Sequence, residues 1–358
     1  MKTILLNPGP VTLSNRVRNA LLKPDLCHRE SEFSDLQQGI RDKLLQVYKS
    51  KRNTWVPVLL TGSGTAGVEA MISSCVSEGD QLLVIENGAY GERISSIAQS
   101  YNLRFDRLSF DWGGQVDIET LRNVLAKGIH QKIAVVHHET TTGRLNDLEA
   151  IANVCLEMGT GMLIDAVSSF GAENMNFDDW PIIACSASAN KCLHGVPGAA
   201  FVIIDKKSLP VLNRPRSLYL NLASYLASQE QGGTPFTQSI QTFYALDEAL
   251  SEFLEQGGQK ARKELFETRL ARIRLSLSEL GIQPFLTGPE KSCVLEAFEL
   301  PDSPSYVVMH DFLKEQGFII YAGQGRLSEK IFRLSAMGDI EADDLERLCK
   351  SFRMLFQQ

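Results

Sequence analysis

The chain has 358 residues, 44% hydrophobic and 22% charged, with a formal net charge of −7. That is room for two domains and a large core, and the acidic balance leaves no basic footprint for nucleic acid. Seven cysteines without a CxxC pair argue against a disulfide scaffold or a zinc ribbon, and no apolar run reaches membrane-spanning length, so a reducing cytoplasm is the expected compartment.

The opening MKTILLNPGP holds only Ile4-Leu5-Leu6 ahead of a proline, too short for the apolar core of a secretion signal. Residues 1–20 read as an extended arm. From about residue 55 the chain alternates short apolar runs with helix-like stretches. The runs at 56–60, 81–86, 132–138, 161–166, 182–188 and 199–204 read as buried strands. The stretches at 66–79, 91–102 and 145–159 read as helices, each ending at or near Gly or Asn. Strand–helix–strand alternation predicts an α/β domain, a mostly parallel sheet covered on both faces, over 21–250. Residues 263–281 carry apolar positions at helical spacing and open a smaller α+β domain over 251–358, the break lying near EQGGQK.

LLTGSGTAGVEA (59–70) reads as strand, glycine turn and helix start. Gly62-x-Gly64-x-x-Gly67, with Glu86 ending the next strand, matches the dinucleotide fingerprint and makes a nicotinamide-dependent oxidoreductase one alternative. The chemistry common to both readings is a phosphate held by N–H groups at a helix N-terminus. Without a ligand it is a tight turn. Tyr90, between two glycines in ENGAYGERI, is a packing aromatic or a stacking surface for a ring. In VVHHETTTGRL the adjacent His137 and His138 face opposite sides of a strand, so they do not ligate one metal together, and no metal site is expected. Asp165 ends the run GMLIDA, at the carboxyl edge of a parallel sheet where ligands bind, though a lone Asp there more often closes a turn.

Lys191 follows one strand later, in CSASANKCLHGVPG, among small residues that leave room for a flat ring. A lone lysine is usually a solvated charge. A phosphate cup, an acid at a strand end and a lysine one strand on are together the parts that hold pyridoxal phosphate, the lysine as Schiff base and the acid on the ring nitrogen. Arg333, in FRLSAMGD, is an arginine on an apolar strand; a substrate carboxylate or a structural ion pair would satisfy it.

These segments, with LNPGPVTLS, SANKCLHGVPG and LKEQGFIIYAG, resemble the class V, fold type I pyridoxal-phosphate-dependent aminotransferases over nearly the whole chain. Within them the chain is most similar to members that move an amino group between 2-aminoethylphosphonate and pyruvate, giving phosphonoacetaldehyde and L-alanine. The resemblance implies pyridoxal 5′-phosphate bound on Lys191, with Asp165 on the ring nitrogen. It implies Ser63, Gly64, Thr65 and Asn190 at the phosphate, Tyr90 and Val167 on the two ring faces, and Thr140 near the phenolic oxygen. Arg333 would take the carboxylate of pyruvate. Thr234, in GGTPFTQS, would reach a neighbouring subunit's phosphate, implying a homodimer with active sites at its interface. CHRESEF (27–33) is similar instead to alanine–glyoxylate and serine–pyruvate relatives, a second reading of the substrate. His28, Arg29 and Arg326 are phosphonate candidates by charge alone.

Overall fold

The computed structural model describes residues 2–51, 53–210 and 214–356. Its large sheet holds β1 (Trp55–Gly62), β2 (Leu82–Glu86), β3 (Phe105–Ser109), β4 (Lys132–Val136), β5 (Gly161–Asp165), β6 (Ile182–Ser188) and β7 (Gly198–Asp205). The order across it is β1-β7-β6-β5-β4-β2-β3. β7 runs antiparallel to both β1 and β6, and the other neighbours are parallel. The parallel core follows from strands whose residues are buried on both faces, as in Leu82–Glu86 and Lys132–Val136. Val58, Leu60 and Val84 feed one core with α1 (Gly64–Cys75) and α2 (Ala89–Ser100). Leu59, Ile85 and Ile164 feed the other with α3 (Leu148–Met158).

β1 is an edge strand, and side chains occupy its open backbone groups. Gln229 accepts from Leu59 N (3.1 Å) and donates to Leu59 O (2.6 Å). Gln238 accepts from Thr61 N (3.0 Å), and Arg41 donates to Pro57 O (3.0 Å). Pro57 sits where a strand tolerates it, at an edge. Filled in this way, β1 offers no template for another strand.

The C-terminal part packs the helices Gly258–Ser278, Tyr306–Glu315 and Ala342–Phe356 on an antiparallel sheet of Leu295–Glu299, Ile331–Ser335 and Tyr321–Ala322. Its core, with Phe266, Phe298, Phe332 and Phe352, also takes in Ile4, Leu6 and Val11. The arm therefore joins this C-terminal core: Ile4–Leu5 pairs in parallel with Phe318–Ile319.

Candidate active site

The carboxyl ends of β4, β5 and β6 and the N-terminus of α1 surround a cavity of about 440 Å³, a size usual for a small-molecule site. At its head, Ser63 caps α1, accepting from Ala66 N (3.4 Å). Gly64 is required by close approach: a Cβ there would lie 2.6 Å from Val167 Cγ1 and 3.2 Å from Ser188 Oγ. At Gly67 it would lie 2.7 Å from Ser186 Oγ. The glycines of the apparent dinucleotide fingerprint thus seat α1 on β6. Glu86 does not line the cavity; its carboxylate is taken by Ser95 and Ser109.

Asp165 ends β5, its Oδ1 accepting from Val167 N (2.9 Å) while no hydrogen bond reaches Oδ2 among the described residues. Burial raises this carboxyl to about 6, against the opposing pull of the Val167 N–H, Arg93 and Lys191. Lys191 stands just beyond β6. Its Nζ donates to Pro8 O of the arm. Burial lowers the amine to about 8; Arg333 and Arg93 push the same way, and Cys192 and Asp165 oppose. An acid pushed up and an amine pushed down in one cavity are the mark of a proton-handling site. Gly9 packs directly on the lysine: its φ is +111° and a Cβ would lie 2.7 Å from Lys191 Nζ.

Ser63, Gly64, Thr65, Tyr90, Thr140, Asp165, Val167, Asn190 and Lys191 all line this one cavity. Arg333 does not. It is buried behind the wall, with Nη1 on Thr140 O (2.9 Å) and Nε and Nη2 on Ala322 O (3.0 and 2.9 Å). His28, Arg29 and Arg326 do not line it either; Arg326 stacks on Trp112, 4.6 Å from the ring centre. Thr234, expected to reach a second subunit, does not line this cavity either. It is 1% exposed, donates to Phe236 O (3.1 Å) and accepts from Gln238 Nε2 (3.0 Å). The exposed hydroxyl of that segment is Thr237.

Sequence reasoning missed three residues. Arg93 lines the cavity, donates to Thr65 Oγ1 (3.2 Å) and lies 4.6 Å from the Tyr90 ring centre. The i, i+3 spacing from Tyr90 on α2 was the available signal. Glu139, fully buried, accepts from Gly91 N (2.8 Å), Tyr90 N (3.4 Å) and Thr141 Oγ1 (3.1 Å), and so anchors the first turn of α2 that carries Tyr90. Burial pushes its carboxyl up to about 7. His138 lines the cavity beside Thr140.

A family model described as "Aminotransferase class-V" matches residues 16–337. The chain belongs to the class-V aminotransferase family. A relative from Vibrio parahaemolyticus, named 2-aminoethylphosphonate–pyruvate transaminase, is 36% identical over 352 residues, 96% of this chain and 95% of its own. One of the same name from Phocaeicola vulgatus is 33% identical over 98% of each chain. Among solved structures, a subgroup IV aspartate aminotransferase from Thermus thermophilus superposes with a TM-score of 0.89 at 28% identity, over 99% of each chain. The class-V aminotransferase fold therefore spans the chain, with Asp165 and Lys191 on adjacent strand ends of its central sheet.

Proposed function

We propose that this aminotransferase moves the amino group of 2-aminoethylphosphonate to pyruvate, giving phosphonoacetaldehyde and L-alanine, with pyridoxal 5′-phosphate held on Lys191. The names of relatives at 33–36% identity support the substrate pair. The observation that carries the chemistry is the Lys191–Asp165 pair across one cavity from the Gly62–Gly67 turn.

The residues fit the cofactor. The free N–H groups of the first turn of α1, with the Ser63 and Thr65 hydroxyls and Arg93, suit a phosphate dianion. Asp165 Oδ2 has no hydrogen-bond partner among the described residues and suits a protonated ring nitrogen. Val167 and Tyr90 supply the flat faces, and Asn190, held by Ser188 Oγ (2.9 Å), closes the rim. When bound, the cofactor supplies an electron sink for charge on the substrate carbon. Asp165 keeps that sink protonated. The Lys191 amine, lowered toward neutrality, takes and returns the proton at the substrate carbon. Arg333 has N–H groups beyond those given to Thr140 O and Ala322 O, and is assigned the pyruvate carboxylate. A homodimer is part of this reading, with Thr234 in the segment assigned to the second chain's phosphate. Seven cysteines, none in a disulfide and six of them buried, support a reducing cytoplasm.

Pyridoxal phosphate added to the purified protein should produce a visible absorption band, and borohydride should fix the label on Lys191. Labelling of any other lysine refutes the assignment. Aldehyde released from 2-aminoethylphosphonate in the presence of pyruvate tests the substrate; turnover of alanine or serine with glyoxylate alone would favour the second reading.

A further inference from the structure

His138 has no part in the reading above. Val136, His138 and Thr140 line the cavity two residues apart, while His137 lines a separate cavity with Glu173 and Lys263. The His138 ring is 1% exposed, with Nδ1 lying 3.2 Å from Ser168 O. A carbonyl only accepts, so Nδ1 carries the hydrogen and Nε2 presents a lone pair. Nε2 is buried and has no hydrogen-bond partner among the described residues. Such a buried orphan is costly, and an acceptor or donor of a ligand at this wall would offset it.

The topology says which part of the ligand comes near. Across the sheet stand α1 on β6, then Asp165 at the end of β5, then His138 and Thr140 beyond β4. A pyridine ring with its nitrogen at Asp165 and its 5-phosphate arm at α1 turns the opposite flank of carbon 4 toward β4. That flank bears the 3-hydroxyl. We propose that His138 Nε2 meets the phenolic oxygen of bound pyridoxal phosphate and takes up a solvent proton there, so that both ring nitrogens donate: Nδ1 to Ser168 O, Nε2 to the phenolate. One N–H bond forms as one O–H bond of a solvent hydronium ion breaks, leaving water; no electrons are transferred.

The surrounding charges make the cofactor the deciding one. Lys191 and Arg333 oppose an imidazolium; Asp165 favours it, and Glu139 does so when ionised. Burial and the Lys191 charge hold the unliganded ring down to about 4, against the Ser168 carbonyl. His138 is thus neutral until an anion arrives at Nε2.

This inference rests on the pyridoxal phosphate reading, and the test separates the two. Apoprotein is titrated with pyridoxal phosphate by calorimetry in buffers of different ionisation enthalpy, for wild type, His138→Leu and His138→Asn. Wild type should take up close to one proton more per site than either variant near neutral pH. The pH midpoint of the bound cofactor's visible absorbance should rise by about one unit in His138→Leu and by less in His138→Asn, which keeps a neutral donor. Equal proton uptake and an unmoved midpoint, with borohydride still fixing label on Lys191, overturn the role of His138 and leave the cofactor assignment standing. No label on wild-type Lys191 removes the premise itself. Should neither variant fold, the 15N shift of Nε2 in the wild-type chain reads the proton directly. An imidazolium shift on adding cofactor supports the proposal, and a neutral-ring shift overturns it.

Discussion

The Lys191 amine should capture pyridoxal phosphate at neutral pH far faster than an ordinary lysine, with a break in its pH profile near 8. Burial lowers this amine from 10.5 to about 8, and Arg333 and Arg93 add to the shift. At pH 7 an amine of pKa 8 is about 9% neutral, and one of pKa 10.5 about 0.03%, a ratio of roughly 300. Only the neutral amine attacks a carbonyl. Stopped-flow absorbance of apoprotein mixed with pyridoxal phosphate gives the rate, and dividing by the rate of N-acetyl-lysine amide in the same buffers cancels the aldehyde's own titration. The ratio should stay on a plateau of that order below pH 8, then fall steadily through pH 10 and level off only above about pH 11. Arg333→Gln should raise the break and Asp165→Asn lower it, since the first charge disfavours the ammonium and the second favours it. A ratio independent of pH from 6 to 10 would refute the argument that this lysine is desolvated. Stability carries the same sign. Between the two pKa values the unfolded lysine holds the proton that the folded one has lost, so stability rises with pH there, by about 3 kcal/mol in all for this group.

Gly9→Ala places a methyl 2.7 Å from Lys191 Nζ on a backbone at φ +111°; a loss of about 1–3 kcal/mol is expected, read as a lower Tm together with a changed capture rate at Lys191. Gln229→Ala leaves Leu59 N and O of the edge strand without partners; denaturant unfolding should show a loss of about 2–3 kcal/mol and increased association through β1. Asp165→Asn should keep the borohydride label on Lys191 while lowering kcat for alanine formation by about 10²–10³-fold. Equal kcat with wild type would remove Asp165 from the chemistry.

Apolar runs located the parallel strands because strands buried on both faces have little freedom to be anything but Val, Ile, Leu and Ala. The reversed direction of β7 was invisible. Its residues AAFVII read the same either way, and direction is set by how the Lys191 loop turns back at Gly198. Strand β3 was missed because FDRLS, at the sheet edge, is largely exposed and polar. Helix Ser31–Gln46 was missed because its apolar stripe is diluted by Gln37 and Arg41, buried to satisfy neighbouring backbone. At the site, glycines, the acid and the lysine carry composition signals. Thr234 and Thr237 do not: which hydroxyl turns inward depends on Gln238, whose side chain bonds both Thr234 and β1.

Lys191 is held from three sides by parts of the chain distant in sequence. Pro8 of the arm accepts from its Nζ. Arg262, on the helix Gly258–Ser278, donates to Cys192 O (2.6 Å). Gly338 N donates to Nε2 of His194 (2.8 Å), a residue at φ +60°. The arm itself shares a core with the C-terminal elements through Ile4 and Leu6. All three restraints therefore come from the arm and the C-terminal elements, although the lysine sits at the end of a large-sheet strand. A shift of that core would move Pro8 and Arg333 relative to Nζ at once, changing both the carbonyl that occupies the amine and the charge that depresses its pKa. Exposure of the nucleophile and its proton affinity are thus set by the same interface. A substitution there, such as Arg262→Gln, should disturb the pH break of Lys191 without touching the cavity.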